Sequence, residues 1–188
     1  MFAAIVLPED AAEHLEEFLE PRREHAAFRW SLVEQFHVTL AFLESVPDRA
    51  LDGLVEGLAL AAGRRPCFEA TIAGGGAFPN PADAKLLYAG LDCTADARTE
   101  LDQLAAGART AASRAGVAVD GTRFRPHVTV ARLRRPTEVT RWVRVLDAYS
   151  GPTWTVDRIA LVASFLGEGA AKRPRYEVVE EFPLAATP

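Results

Sequence analysis

Two histidines sit in matching surroundings: Phe36-His37-Val38-Thr39-Leu40 and Pro126-His127-Val128-Thr129-Val130. Imidazole has an unperturbed pKa of about 6.5 and so gives or takes a proton near neutrality. Two imidazoles across one cleft can therefore divide general acid and general base between them. A threonine hydroxyl two residues past each ring can hydrogen-bond a non-bridging phosphate oxygen. Arginine offsets charge that builds on phosphorus oxygens. Five arginines (Arg123, Arg125, Arg132, Arg134, Arg135) and no acid lie around the second histidine. In a chain of net charge −5, one basic segment suits a small phosphate-bearing ligand or a strand end better than a coated duplex.

Taken singly, each feature has an ordinary explanation. One histidine on a strand is more often structural than catalytic, and a charge run is usually a solvated edge. The repetition moves the balance: a strand with His-Val-Thr and a following helix occurs at 37–62 and again at 127–146, offset by 90 residues. His14 and His25 lack such company and read as solvent-exposed. The chain has no His-Glu-x-x-His, no Gly-x-Ser-x-Gly and no GxxxxGK[ST] loop, which argues against zincin, serine-hydrolase and ATP chemistry. Gly74-Gly75-Gly76 precede Phe78 and Pro79 instead of a helix, so a flexible turn is expected there. Cys67 and Cys93, in strand-like stretches, read as small buried side chains; no metal or cofactor is expected.

Alternate residues of a strand share a face. Phe36, Val38, Leu40 and Phe42 form a core face, which leaves His37, Thr39 and Ala41 on the other. Val128 and Val130 likewise face inward, and Arg125, His127, Thr129 and Ala131 share the opposite side. Around these, strands are expected at 2–7, 36–43, 68–73, 85–91, 126–133, 154–163 and 175–182. Helices are expected at 9–20, 47–62 (capped by Ser45 and closed by Gly63), 96–115 and 137–146, with a loop between 74 and 83. With 188 residues, 49% hydrophobic and 25% charged, the expectation is one compact α+β unit spanning 1–188. No apolar run approaches the roughly 18–20 residues of a membrane span. The opening MFAAIVLPED reads as a strand and not a leader, so a cytoplasmic protein is expected; a monomer is expected as well.

The paired motifs resemble those of the two-histidine phosphoesterase superfamily, and within it the RNA 2′,3′-cyclic phosphodiesterases, historically called 2′-5′ RNA ligases. FAAIVLPED, Arg29-Trp30, GAFPNP, FRPHVTVAR and RYEVVEEFPL extend the likeness over about 2–184. The resemblance implies two pseudo-symmetric lobes, each an antiparallel sheet backed by helices, with one His-x-Thr on each wall of a central cleft. It implies His37 as proton donor to the departing 3′ oxygen and His127 as proton acceptor from water, with Thr39 and Thr129 gripping the phosphate. Arg132 matches a phosphate-contacting arginine of that family, although simple alternation puts it on the core face, so the role needs a bulge or the strand's end. Arg125, on the face of His127, is a further candidate for substrate binding. Glu44 and Tyr88 depart from the family's usual glycine and tryptophan. The expected partners are RNA ends or small nucleotides with a 2′,3′-cyclic phosphate. Two alternatives remain: the same site on another cyclic phosphate or a 2′-5′ linkage, and a non-catalytic RNA-end or nucleotide-binding module.

Overall fold

The structure, a computed structural model, describes residues 1–121, 123–169 and 173–186. Nine strands are described: β1 (Phe2–Val6), β2 (Arg29–Trp30), β3 (His37–Phe42), β4 (Phe68–Phe78), β5 (Ala84–Asp92), β6 (His127–Thr137), β7 (Ser150–Val156), β8 (Arg158–Phe165) and β9 (Arg175–Pro183). Four helices accompany them: α1 (Glu9–Arg23), α2 (Asp48–Ala62), α3 (Ala95–Arg114) and α4 (Thr140–Asp147). The strand order is β7-β4-β5-β6-β3-β1-β8-β9, with the short β2 added beside β6.

This sheet divides at its middle. β3 and β6 meet through one registered pair, Val38↔Val128. On either side the pairings are longer and all antiparallel, giving a β9-β8-β1-β3 half and a β6-β5-β4-β7 half. The expected two-lobed α+β architecture is therefore present, with the His-Val-Thr segments as its two innermost strands. Helix α2 packs on β8 and β9 while α1 and α4 pack on β7 and β4, and α3 lies against α2 and spans β3 and β4. One contiguous apolar cluster, with Leu15, Leu40, Leu54, Leu101, Leu104, Leu146 and Ile159 among its members, joins these helices to both half-sheets. Burying that surface is the main driving force holding the halves together.

Several local expectations are overturned. Gly74–Gly76 do not form a turn; they lie inside β4, which bulges between Ile72 and Gly75. Gly74 takes the left-handed conformation of that bulge, at φ 71°. A Cβ on Gly75 would lie 2.3 Å from the Leu146 Cβ of α4, and one on Gly76 2.2 Å from the Tyr88 hydroxyl. The glycines are there so that a helix and a ring can approach the backbone closely. Gly75→Ala is accordingly expected to push α4 off the sheet, costing about 1–3 kcal/mol. A thermal melt should show it as a loss of about 3–10 °C. Gly53→Ala in α2, where a Cβ meets nothing within 4 Å, should leave the melt unchanged or slightly higher.

The expected 154–163 strand is two strands, β7 and β8, which pair with β4 and β1 in opposite halves, with Asp157 at the crossing between them. The exposed pair Asp157-Arg158 marks that crossing in the sequence. Ser45 does not cap α2; the N-cap is Pro47, without a side-chain hydrogen bond. Helix α4 begins at Thr140 because β6 runs on to Thr137. Cys67 and Cys93 flank strands without lying in them and are half-buried. His25 is exposed, whereas the exposed His14 is tethered through Nδ1 to the Tyr149 hydroxyl at 3.0 Å.

Candidate active site

A bulge in each central strand sets the site. Along β1 and β3 the register runs Ala3↔Ala41 and then Ala4↔Thr39, so Leu40 is the extra residue. Along β5 and β6 it runs Leu87↔Ala131 and then Tyr88↔Thr129, so Val130 is the extra residue. Two consecutive side chains then face the core: Leu40 and Ala41 in one strand, Val130 and Ala131 in the other, all no more than 2% exposed. The next residue is turned outward. This places Arg132 on the cleft side, as its expected role required. It also corrects simple alternation at three positions: Ala41 and Ala131 are buried, and Phe42 is 53% exposed at the cleft. Phe42 and Arg132 are counterparts, each five residues past its histidine.

His37, Thr39, His127, Thr129 and Arg132 all line one cavity of about 210 Å³. In antiparallel register, the Val38↔Val128 pair sets each histidine beside the other strand's threonine. Arg29, paired with Arg132 across β2 and β6, and Arg173 also line the cavity. No carboxylate of the described residues does. A space walled by three guanidiniums and no acid favours an anion. Arg125 does not reach it and borders an adjoining groove with Phe78 and Phe124.

The two rings are held alike. His37 Nδ1 lies 2.8 Å from the Gln35 carbonyl oxygen, and His127 Nδ1 lies 2.7 Å from that of Arg125. A carbonyl oxygen only accepts, so each Nδ1 carries the hydrogen and each Nε2 keeps the lone pair of the neutral ring. Gln35 is itself fixed, its side-chain amide donating to the Pro174 carbonyl and accepting from the Leu32 amide. Phe2 stacks on His37 with centroids 4.5 Å apart, and Tyr176 meets the ring edge-on at 5.4 Å. Phe2, Ala4, Ala160, Val162 and Tyr176 form a small apolar cluster on this side of the sheet. Phe78 and Tyr88 flank His127 at 5.0 and 5.2 Å.

That enclosure changes the proton affinity of both rings. Burial pushes His37 down to about 4, helped by the positive charge of His127 and Arg132 and opposed by the Gln35 carbonyl. Burial also lowers His127, with Arg132 acting in the same sense and the Arg125 carbonyl against it. Both imidazoles are thus neutral at pH 7.

The sequence pattern does not single out Phe2, Gln35, Phe42 or Tyr176, and Tyr88, a departure from the family's usual tryptophan, touches His127. Phe42 was readable from alignment of the two repeats, since it falls where the second has Arg132. Gln35 and Arg125 occupy equivalent places two residues before the histidines. Phe2 and Tyr176 arrive through strand pairing from the chain ends, which no local pattern reports. Trp30 is buried beside Phe28 and Trp142 and serves packing.

Known proteins share this sequence and fold. An RNA 2′,3′-cyclic phosphodiesterase of Thermus thermophilus is 32% identical over 98% of this chain and 89% of its own. One from Geobacillus stearothermophilus is 29% identical over the whole of this chain, which spans 58% of that relative's length. Among solved structures, that of a Thermus thermophilus protein, TT0787, has a TM-score of 0.78 at 27% identity, covering 100% of this chain and 98% of that one. Escherichia coli LigT complexed with 3′-AMP has a TM-score of 0.75 at 26% identity, covering 97% and 96%. The sequence model of the 2′-5′ RNA ligase superfamily matches residues 7–165, and with both His-Val-Thr segments inside that span, the chain belongs to this superfamily.

Proposed function

We propose that this protein hydrolyses the 2′,3′-cyclic phosphate at RNA 3′ ends to a 2′-phosphate, by acid–base catalysis without a metal. His127 takes a proton from water as the oxygen attacks phosphorus. His37 gives a proton to the 3′ oxygen as its bond to phosphorus breaks, leaving a 3′-hydroxyl. Thr39, Thr129 and Arg132 hold the non-bridging oxygens in line and offset their charge. The observation that carries this reading is the matched pair of imidazoles, each fixed by a carbonyl at Nδ1, lining one carboxylate-free cationic cavity. The substrate class follows the relatives, which are named for that activity. Among the described residues no group of three or more His, Cys, Asp or Glu could hold a metal.

The test is turnover of an oligoribonucleotide ending in a 2′,3′-cyclic phosphate, followed by ³¹P NMR. The expected product carries a 2′-phosphate, and excess EDTA leaves the rate unchanged. A 3′-phosphate product would reverse the assignment of the leaving oxygen. Loss of activity in EDTA, restored by a divalent cation, would replace the mechanism with a metal-assisted one.

A further inference from the structure

We propose that the groove adjoining the two-histidine cavity is a track for the nucleotides that precede the cyclic phosphate, so that the preferred substrate is a single-stranded RNA end and not a mononucleotide. This rests on the phosphodiesterase reading above and specifies its substrate class.

The groove, about 580 Å³, shares Thr39, Phe42, His127 and Arg132 with the catalytic cavity. A phosphodiester reacting at His127 therefore sits where the two spaces join. The catalytic cavity, at about 210 Å³, has room for the reacting phosphate and its sugar but not for a chain. The groove has the room and the chemistry. Beyond Arg132 its walls carry Arg109, Arg123 and Arg125 against one carboxylate, Asp120. That excess of cations stands out on a chain of net charge −5, and it is the electrostatic signature of a backbone track. Arg109 reaches the groove from α3, and its Nε is buried with no hydrogen-bond partner among the described residues. Phe78 and Phe124 lie along the same wall, with the Arg125 guanidinium 5.9 Å from the Phe78 ring centre. Arginines interleaved with aromatic rings hold single strands by phosphate contact and base stacking, with little sequence preference.

The test compares kcat/KM on a nucleoside 2′,3′-cyclic phosphate and on a pentaribonucleotide with the same end, for wild type and Arg109→Gln/Arg123→Gln. Wild type is expected to prefer the pentanucleotide by about tenfold or more. The double variant loses that preference and keeps its mononucleotide rate within about twofold. Its salt slope on the pentanucleotide falls by about 1.4, at roughly 0.7 per phosphate contact with a single strand. Arg123→Gln alone, at an exposed position, gives about half the effect and keeps the test open if the double variant melts early. Equal wild-type rates on both substrates would overturn the track and leave the phosphodiesterase reading standing, as would a variant that loses both rates together. No turnover of either substrate would overturn both.

Discussion

His127→Ala and His37→Ala are each expected to lower turnover of a cyclic-phosphate RNA end by about 10³–10⁴-fold, because each removes one positioned proton carrier. The double variant should be little worse than the worse single one, since residues acting as one unit are strongly non-additive. Alanine also leaves a carbonyl, Gln35 or Arg125, without the ring that donates to it, at a cost of about 1–3 kcal/mol if that oxygen stays dry. A thermal melt must therefore accompany each rate. Asparagine at either position keeps an N–H donor without a titrating nitrogen, so His127→Asn and His37→Asn should be nearly as inactive and closer to wild type in stability. Activity within about tenfold of wild type in a folded variant would remove that ring from the mechanism.

The two rings could be placed from sequence because their neighbours obey a period of two for three residues. Val38 and Val128 are fully buried, so His37, Thr39, His127 and Thr129 had to face away from the core. The pattern failed one step later, at the bulges. Nothing in Leu40-Ala41 or Val130-Ala131 announces an extra residue, since small apolar side chains suit either face. The consequence was largest at Phe42, an exposed aromatic counted as core. The glycine run misled for a different physical reason. Local propensity reads three glycines as a turn, but here contacts with Leu146 and Tyr88 exclude a Cβ at Gly75 and Gly76, and Gly74 takes a left-handed φ. The pairing of chain ends around His37, which brings Phe2 and Tyr176 to one ring, depends on a register set across the whole sheet. No window of local sequence contains it.

The depressed proton affinity of His37 leads to a second large effect, on anion binding. A proton donor must be charged before it acts, yet a ring at about 4 is almost wholly neutral at pH 7. A doubly charged anion held beside it by Arg132 and the two threonines would favour the imidazolium. The anion would then bind with uptake of a proton, and its affinity must rise as pH falls, by about tenfold per unit for each proton taken up. The rise ends near 4, where free His37 already carries its proton. Sulfate is the cleanest probe, because its own charge does not change over this range. Its dissociation constant is expected to fall about tenfold or more between about pH 7 and 5, and further where His127, also lowered by burial, takes up a second proton. Calorimetry in two buffers of different ionisation enthalpy counts those protons directly. His37→Asn should remove one of them and flatten the profile by one unit of slope. NMR titration of the His37 ring should move from about 4 in the free protein to above about 6 with sulfate bound. Sulfate affinity that is flat with pH, or a His37 titration unmoved by sulfate, would mean that this ring does not face the anion and cannot be the group that protonates the departing oxygen.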